Sequence, residues 1–85
     1  MKIVVIDGQG GSIGKAIVEQ LVKKVDIESI FCIGTNSVAT ANMLKAGAKY
    51  GASGENPVVV ACRDADYIIG PIGIILGPFC GAYIG

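Results

Sequence analysis

Short unbroken apolar runs recur along this chain, and stretches with helical spacing follow the first two of them. Ile3–Ile6, Ile30–Ile33 and Tyr67–Ile69 are apolar throughout rather than alternating, which is how strands read when helices cover both faces of a sheet. After the first run, Ile13, Ile17 and Leu21 repeat at i+4, and Val18, Val22 and Val25 widen the stripe. That pattern predicts an amphipathic helix from about Ser12 to Lys24, with Ser12 as its N-cap and Lys15, Glu19, Lys23 and Lys24 on the wet side. Thr35 or Asn36 then caps a second helix through about Ala46, and Gly47 ends it. Its alanines, Ala39, Ala41 and Ala46, suit close approach to a sheet.

Residues Ala48 to Ala52 read as a short edge strand. Asn56-Pro57 sets an N-cap before a proline at the first helical position and opens a short helix to about Ala65. The β-branched run Val58-Val59-Val60 pulls toward a strand instead. Asp64-Ala65-Asp66, directly before Tyr67-Ile68-Ile69, favours a helix end feeding a parallel strand. The order βαβαβαβ predicts an α/β fold, a three-layer Rossmann-like half unit with a four-stranded parallel sheet in order 3-2-1-4. This unit occupies residues 1–76, and residues 77–85 read as a divergent or truncated apolar tail.

Between the first strand and the first helix lies Gly8-Gln9-Gly10-Gly11-Ser12-Ile13-Gly14, with four glycines in seven residues. Glycine lets a backbone turn tightly and approach a ligand, and the first N–H groups of a helix face an anion with the positive end of the dipole behind them. Gly8, Gln9, Gly10, Gly11, Ser12, Ile13 and Gly14 are therefore the first candidates to hold a phosphate. Thr35 and Asn36, at the end of the second strand, are candidates for a ribose or a 2′-phosphate, and are equally good helix caps. Gly70 and Pro71 open a turn, Gly70-Pro71-Ile72-Gly73, expected beside Gly8-Gln9-Gly10 at the crevice flanked by the first and fourth strands.

Three glycine-loop templates compete here. The dinucleotide spacing G-x-G-x-x-G places Gly11 and Gly14 correctly but has Gln9 at its first glycine. The longer spacing of short-chain dehydrogenases fits Gly8 and Gly14, with Ser12 at the middle position; their Tyr-x-x-x-Lys pair is absent. The phosphate loop of nucleotide triphosphatases fits Gly14-Lys15, but Ala16 stands where a hydroxyl must hold magnesium. An acid at the end of the second strand, which would hold the ribose of NAD, is replaced by Gly34-Thr35-Asn36. Asp7 reads as an acceptor for the turn's amides, and no acid–base pair stands out.

Seven basic and seven acidic residues cancel, and only 16% of the 85 residues are charged. That balance argues against nucleic acid, whose phosphates call for a basic face. Histidine is absent, and Cys32, Cys62 and Cys80 are scattered. Metal binding is not expected, and Cys32 and Cys62 read as small core residues in a cytoplasmic protein. From Tyr67 to Gly85 there is no charge, and Gly73, Gly77, Gly81 and Gly85 recur every four residues. Such spacing occurs in membrane helix pairs, but Pro71 and Pro78 interrupt it and a buried strand with a loop explains the same residues.

Residues Lys2-Ile3-Val4-Val5-Ile6-Asp7-Gly8-Gln9-Gly10-Gly11 with Ile13-Gly14-Lys15 resemble the opening of a short bacterial family known as a domain of unknown function. So do Gly34-Thr35-Asn36, Met43-Leu44-Lys45-Ala46-Gly47-Ala48, Gly54-Glu55-Asn56 and Ala65-Asp66 through Ile74. The likeness covers roughly the first three-quarters of the chain and is expected to end after about Leu76. It implies a Rossmann-like fold with NAD(P)-binding character and no established activity. The expectation is a nucleotide or dinucleotide, NAD or NADP among them, bound by its phosphate at the glycine turn. Two alternatives stand beside it. One is a non-catalytic association module whose open sheet edge docks a partner or a second copy; the other is part of an oxidoreductase completed by another chain.

Overall fold

The apolar run Ile3–Ile6 makes up strand β1 (Ile3–Asp7) up to its closing Asp7, and its residues alternate between two cores. Ile3 and Val5 join Val18, Ile30, Cys32, Ala39 and Met43 on one side of the sheet, while Val4 meets Ile33, Ala65 and Ile68 on the other. A strand buried on both faces has no polar position, which is why the run is unbroken. The computed structural model describes residues 1–8, 10–54 and 60–70, together with the backbone of 73–76 and 82–84.

The elements that follow are α1 (Ser12–Leu21), a single 3₁₀ turn (Ile27–Ser29), β2 (Ile30–Gly34), α2 (Ser37–Lys45), β3 (Tyr50–Ser53) and β4 (Tyr67–Gly70). These four strands are all parallel and lie in the order β3-β2-β1-β4. α1 and α2 cover one face. Residues 60–62 are helical, and Ala61 and Cys62 pack on the other. The fold is thus the three-layer α/β unit with the 3-2-1-4 sheet that the pattern predicts. The start of the helix expected at Asn56-Pro57 lies outside the described residues.

Two strands extend the sheet beyond that expectation. β5 (Gly73–Leu76) pairs antiparallel with β4, and β6 (Ala82–Ile84) pairs antiparallel with β5. The edge of β4, open in the sequence-based picture, is therefore covered, and among the described residues the sheet ends at β3 and β6. Gly70 pairs with Gly73, so the expected turn is a hairpin; Pro71 and Ile72, which connect it, lie outside the described residues.

Two boundaries also differ. α1 ends at Leu21 instead of Lys24, and the chain tightens there, with Lys23 N–H on Gln20 O at 3.3 Å and Lys24 N–H on Leu21 O at 2.9 Å. Val22 and Val25 still pack against the core from this turn. β3 begins at Tyr50 rather than Ala48, whose side chain is instead in the core.

Capping sets the start of α2. Asn36 is its N-cap, and its Oδ1 accepts the Ala39 N–H at 2.9 Å. Four residues into this stretch, the buried Thr40 hydroxyl accepts the Gly34 N–H at 3.1 Å and lies 2.8 Å from Ser53 Oγ. One side chain so ties together the ends of β2 and β3 and the first turn of α2. Cys32 is a buried core thiol, as its apolar setting suggests; it donates to Tyr50 O, and burial pushes its pKa up.

Candidate functional site

Because β1 and β4 are parallel neighbours, their carboxyl ends lie together. A Cβ on Gly70 would come within 3.2 Å of Ile6 O, so the end of β4 closes directly against the end of β1. β2 ends beside them, with Gly34 in register with Asp7 and the Thr35 N–H donating to Asp7 O at 3.0 Å. The glycine turn rises from this edge of the sheet.

The turn itself is closed by the Gly11 N–H, which donates to Gly8 O at 2.9 Å. Gly11 is in the left-handed conformation at φ 70° and serves as N-cap of α1. Ser12, expected as the cap, is instead the first helical residue. At the strand end, the Asp7 carboxylate accepts the Gly8 N–H at 2.8 Å and the buried Gly14 N–H at 2.6 Å. Asp7 is thus an acceptor for turn amides, with one oxygen committed to each.

A helix start leaves four N–H groups without intrahelical acceptors. Here Gly11 uses Gly8 O and Gly14 uses Asp7. The two that remain, on Ser12 and Ile13, have no partner among the described residues, and both side chains are exposed. A groove of about 710 Å³ begins at Ser12 and Ile13 and runs along α1 past Ala16 and Ile17, with Ile69 on its floor. A second cavity of about 270 Å³, bounded by Phe31, Tyr50 and Val60, opens away from the turn, near the starts of β2 and β3.

The glycines of the turn have different physical reasons. A Cβ on Gly11 would lie 2.8 Å from the Ala39 backbone, and one on Gly14 would lie 2.9 Å from Asp7 Cβ and against Met43 Sδ. These two are required by the contact of α1 with α2 and β1. A Cβ on Gly8 would meet Thr35 Oγ1 at 2.9 Å, which brings Thr35 to the rim of the turn. Gly10 is exposed, and a Cβ there would meet nothing within 4 Å. It is the one described glycine of the turn with neither a close neighbour at the Cβ position nor a positive φ.

Of the residues singled out in the sequence, Gly8, Gly10, Gly11, Ser12, Ile13, Gly14, Thr35 and Gly70 gather at this end of the sheet. Asn36 is nearby, but its side chain caps α2. Gln9 and Pro71 lie outside the described residues. Sequence reasoning missed α2 as the back wall of the turn. Ala39 packs on Gly11, Met43 on Gly14, and Asn42 Nδ2 donates to Gly10 O at 2.6 Å. The i, i+3, i+4 spacing of Ala39, Asn42 and Met43 is the signal that places them on one face.

Among the described residues no three His, Cys, Asp or Glu side chains come together to hold a metal, and no helix is long and apolar enough to cross a membrane. Comparison with curated proteins and with solved structures returned no match. A family described as a domain of unknown function, DUF3842, matches residues 2–81. The match continues past Leu76, where the likeness was expected to stop. The chain belongs to the DUF3842 family.

Proposed function

We propose that the protein binds a nucleotide through its phosphates at the Gly8–Gly14 turn. The observation that carries this reading is Gly10: an exposed glycine that packing does not require, beside the N–H groups of Ser12 and Ile13, which have no partner among the described residues. A bare backbone next to two helix-start donors supports phosphate binding by close approach. Thr35, at the rim, is in place to meet a sugar hydroxyl.

The charge of Asp7 narrows the ligand. Its carboxylate already sits at the positive end of α1, so an anion on Ser12 and Ile13 is repelled as well as attracted. At roughly 5 Å and an effective dielectric of about 20, each ligand charge costs about 3 kcal/mol. Two charge-assisted hydrogen bonds return about 3–6 kcal/mol. A dinucleotide's pyrophosphate carries one charge on each phosphorus, so one lies at the helix start and the second farther from Asp7, whereas a terminal phosphate brings two charges to the same point. The reading is therefore a dinucleotide such as NAD or NADP, held by its pyrophosphate, in preference to a nucleoside monophosphate.

Thermal shift with NAD, NADP, AMP and ATP tests it. The two dinucleotides are expected to raise Tm by a few degrees at millimolar concentration, and AMP by less. Gly10→Val should abolish the shift while changing the stability of the unliganded chain by no more than about 0.5 kcal/mol, because its side chain enters open space. No shift with any of the four would remove the reading.

A further inference from the structure

We infer that Asn42 is the positioning residue of the glycine turn. It fixes the orientation of the Gly10–Gly11 peptide and keeps the Gly10 carbonyl out of the path of an incoming anion. This rests on the phosphate reading for its purpose, though not for its geometry.

A peptide plane between two glycines is the easiest in a protein to rotate, because neither flanking residue has a Cβ to resist it. In this turn the plane is held at its two ends. The Gly11 N–H donates to Gly8 O at 2.9 Å, and Gly10 O accepts from Asn42 Nδ2 at 2.6 Å. Among the described residues nothing else grips Gly10, which has open space where a side chain would stand. The partner of the amide is a carbonyl, so the Asn42 group facing it must be the NH₂ donor; the alternative amide orientation would set oxygen against oxygen.

Rotating this plane would break both hydrogen bonds together. It would also swing the Gly10 carbonyl away from α2 toward the open side of the turn, beside the Ser12 and Ile13 donors. A carbonyl dipole there repels an anion, so a rotated turn does not bind phosphate. Without Asn42 a single neutral hydrogen bond remains to oppose the rotation, and such bonds are weak where solvent competes. Asn42 itself is part of a helix whose neighbouring residues Ala39 and Met43 pack against Gly11 and Gly14. Its anchor is therefore rigid.

The test compares the native chain with Asn42→Ala and Asn42→Asp by two readouts. One is hydrogen exchange at the Gly11 amide without ligand; the other is affinity for NAD and for NADP. Asn42→Asp keeps the size and shape of the side chain but replaces the donor with an acceptor, so a merely structural role would not move with it. Both variants are expected to speed Gly11 exchange about tenfold while leaving Val5 and Val18 amides protected, and to weaken both probes about tenfold. Unchanged Gly11 exchange in both variants overturns the inference whatever the ligands do. Faster Gly11 exchange in a protein whose native form binds neither probe upholds the lock and removes the phosphate reading.

Discussion

Gly11→Ala is expected to lower Tm by roughly 15–20 °C, the largest fall of any single methyl addition in the turn. Gly11 sits at φ 70°, where a Cβ costs about 1–2 kcal/mol. The added carbon would also lie 2.8 Å from the Ala39 Cα and O atoms. Those are backbone atoms of α2, so the clash is relieved only by moving one helix against the other, at about 1–3 kcal/mol. Together this is about 3 kcal/mol, and a domain of this size loses about 4–8 °C per kcal/mol. Thermal unfolding by circular dichroism reads the effect directly. A fall of less than 5 °C would mean that α2 does not press on the turn as described. Gly11 is for this reason unsuitable for probing ligand binding, whereas Gly10 is suited to it.

Substitutions at Asp7 should move stability and binding in opposite directions. Asp7→Ala leaves the buried Gly14 N–H without an acceptor and loosens Gly8, at about 1–3 kcal/mol for each orphaned donor. A loss of about 3 kcal/mol in denaturant unfolding is expected. Asp7→Asn keeps one acceptor oxygen and should cost about half as much. Yet Asp7→Asn also removes the negative charge from the start of α1, so inorganic pyrophosphate should bind at least tenfold more tightly than to the native chain. Weaker pyrophosphate binding in a folded Asp7→Asn would mean that the anion does not sit at this helix start.

The fold was legible where burial on both faces writes itself into composition. Ile3–Ile6 and Ile30–Ile33 have no polar position because helices cover both sides, and that alone predicted parallel strands. β5 was not legible, although Ile74, Ile75 and Leu76 are apolar. The two-residue connection Pro71-Ile72 lacks the Asn-Gly or Asp-Gly character that announces a tight hairpin. The end of α1 was misplaced because Val22 and Val25 continue the apolar stripe while packing from a tightened turn.

At the candidate site, the sequence located the turn but not the task of each glycine. Gly11 and Gly14 answer to Ala39 and Met43, almost thirty residues downstream, and no local pattern links them. Asn42 has no motif at all; only the packing of α2 across the turn gives it a partner. Asn36, read as either ligand or cap, is seen to cap α2 through the Ala39 N–H. What distinguishes Gly10 is the open space where a side chain would stand, which a sequence cannot express.

The proposed function has phosphate held by the bare backbone between β1 and α1. Its most direct test is a titration of the native chain with NAD, followed through backbone amide shifts. The largest changes should fall on Gly10, Ser12 and Ile13, with a smaller change at Thr35 and none at Gly14, whose N–H is already committed to Asp7. Shifts concentrated around Phe31, Tyr50 and Val60, or no shifts at saturating ligand, would contradict the account.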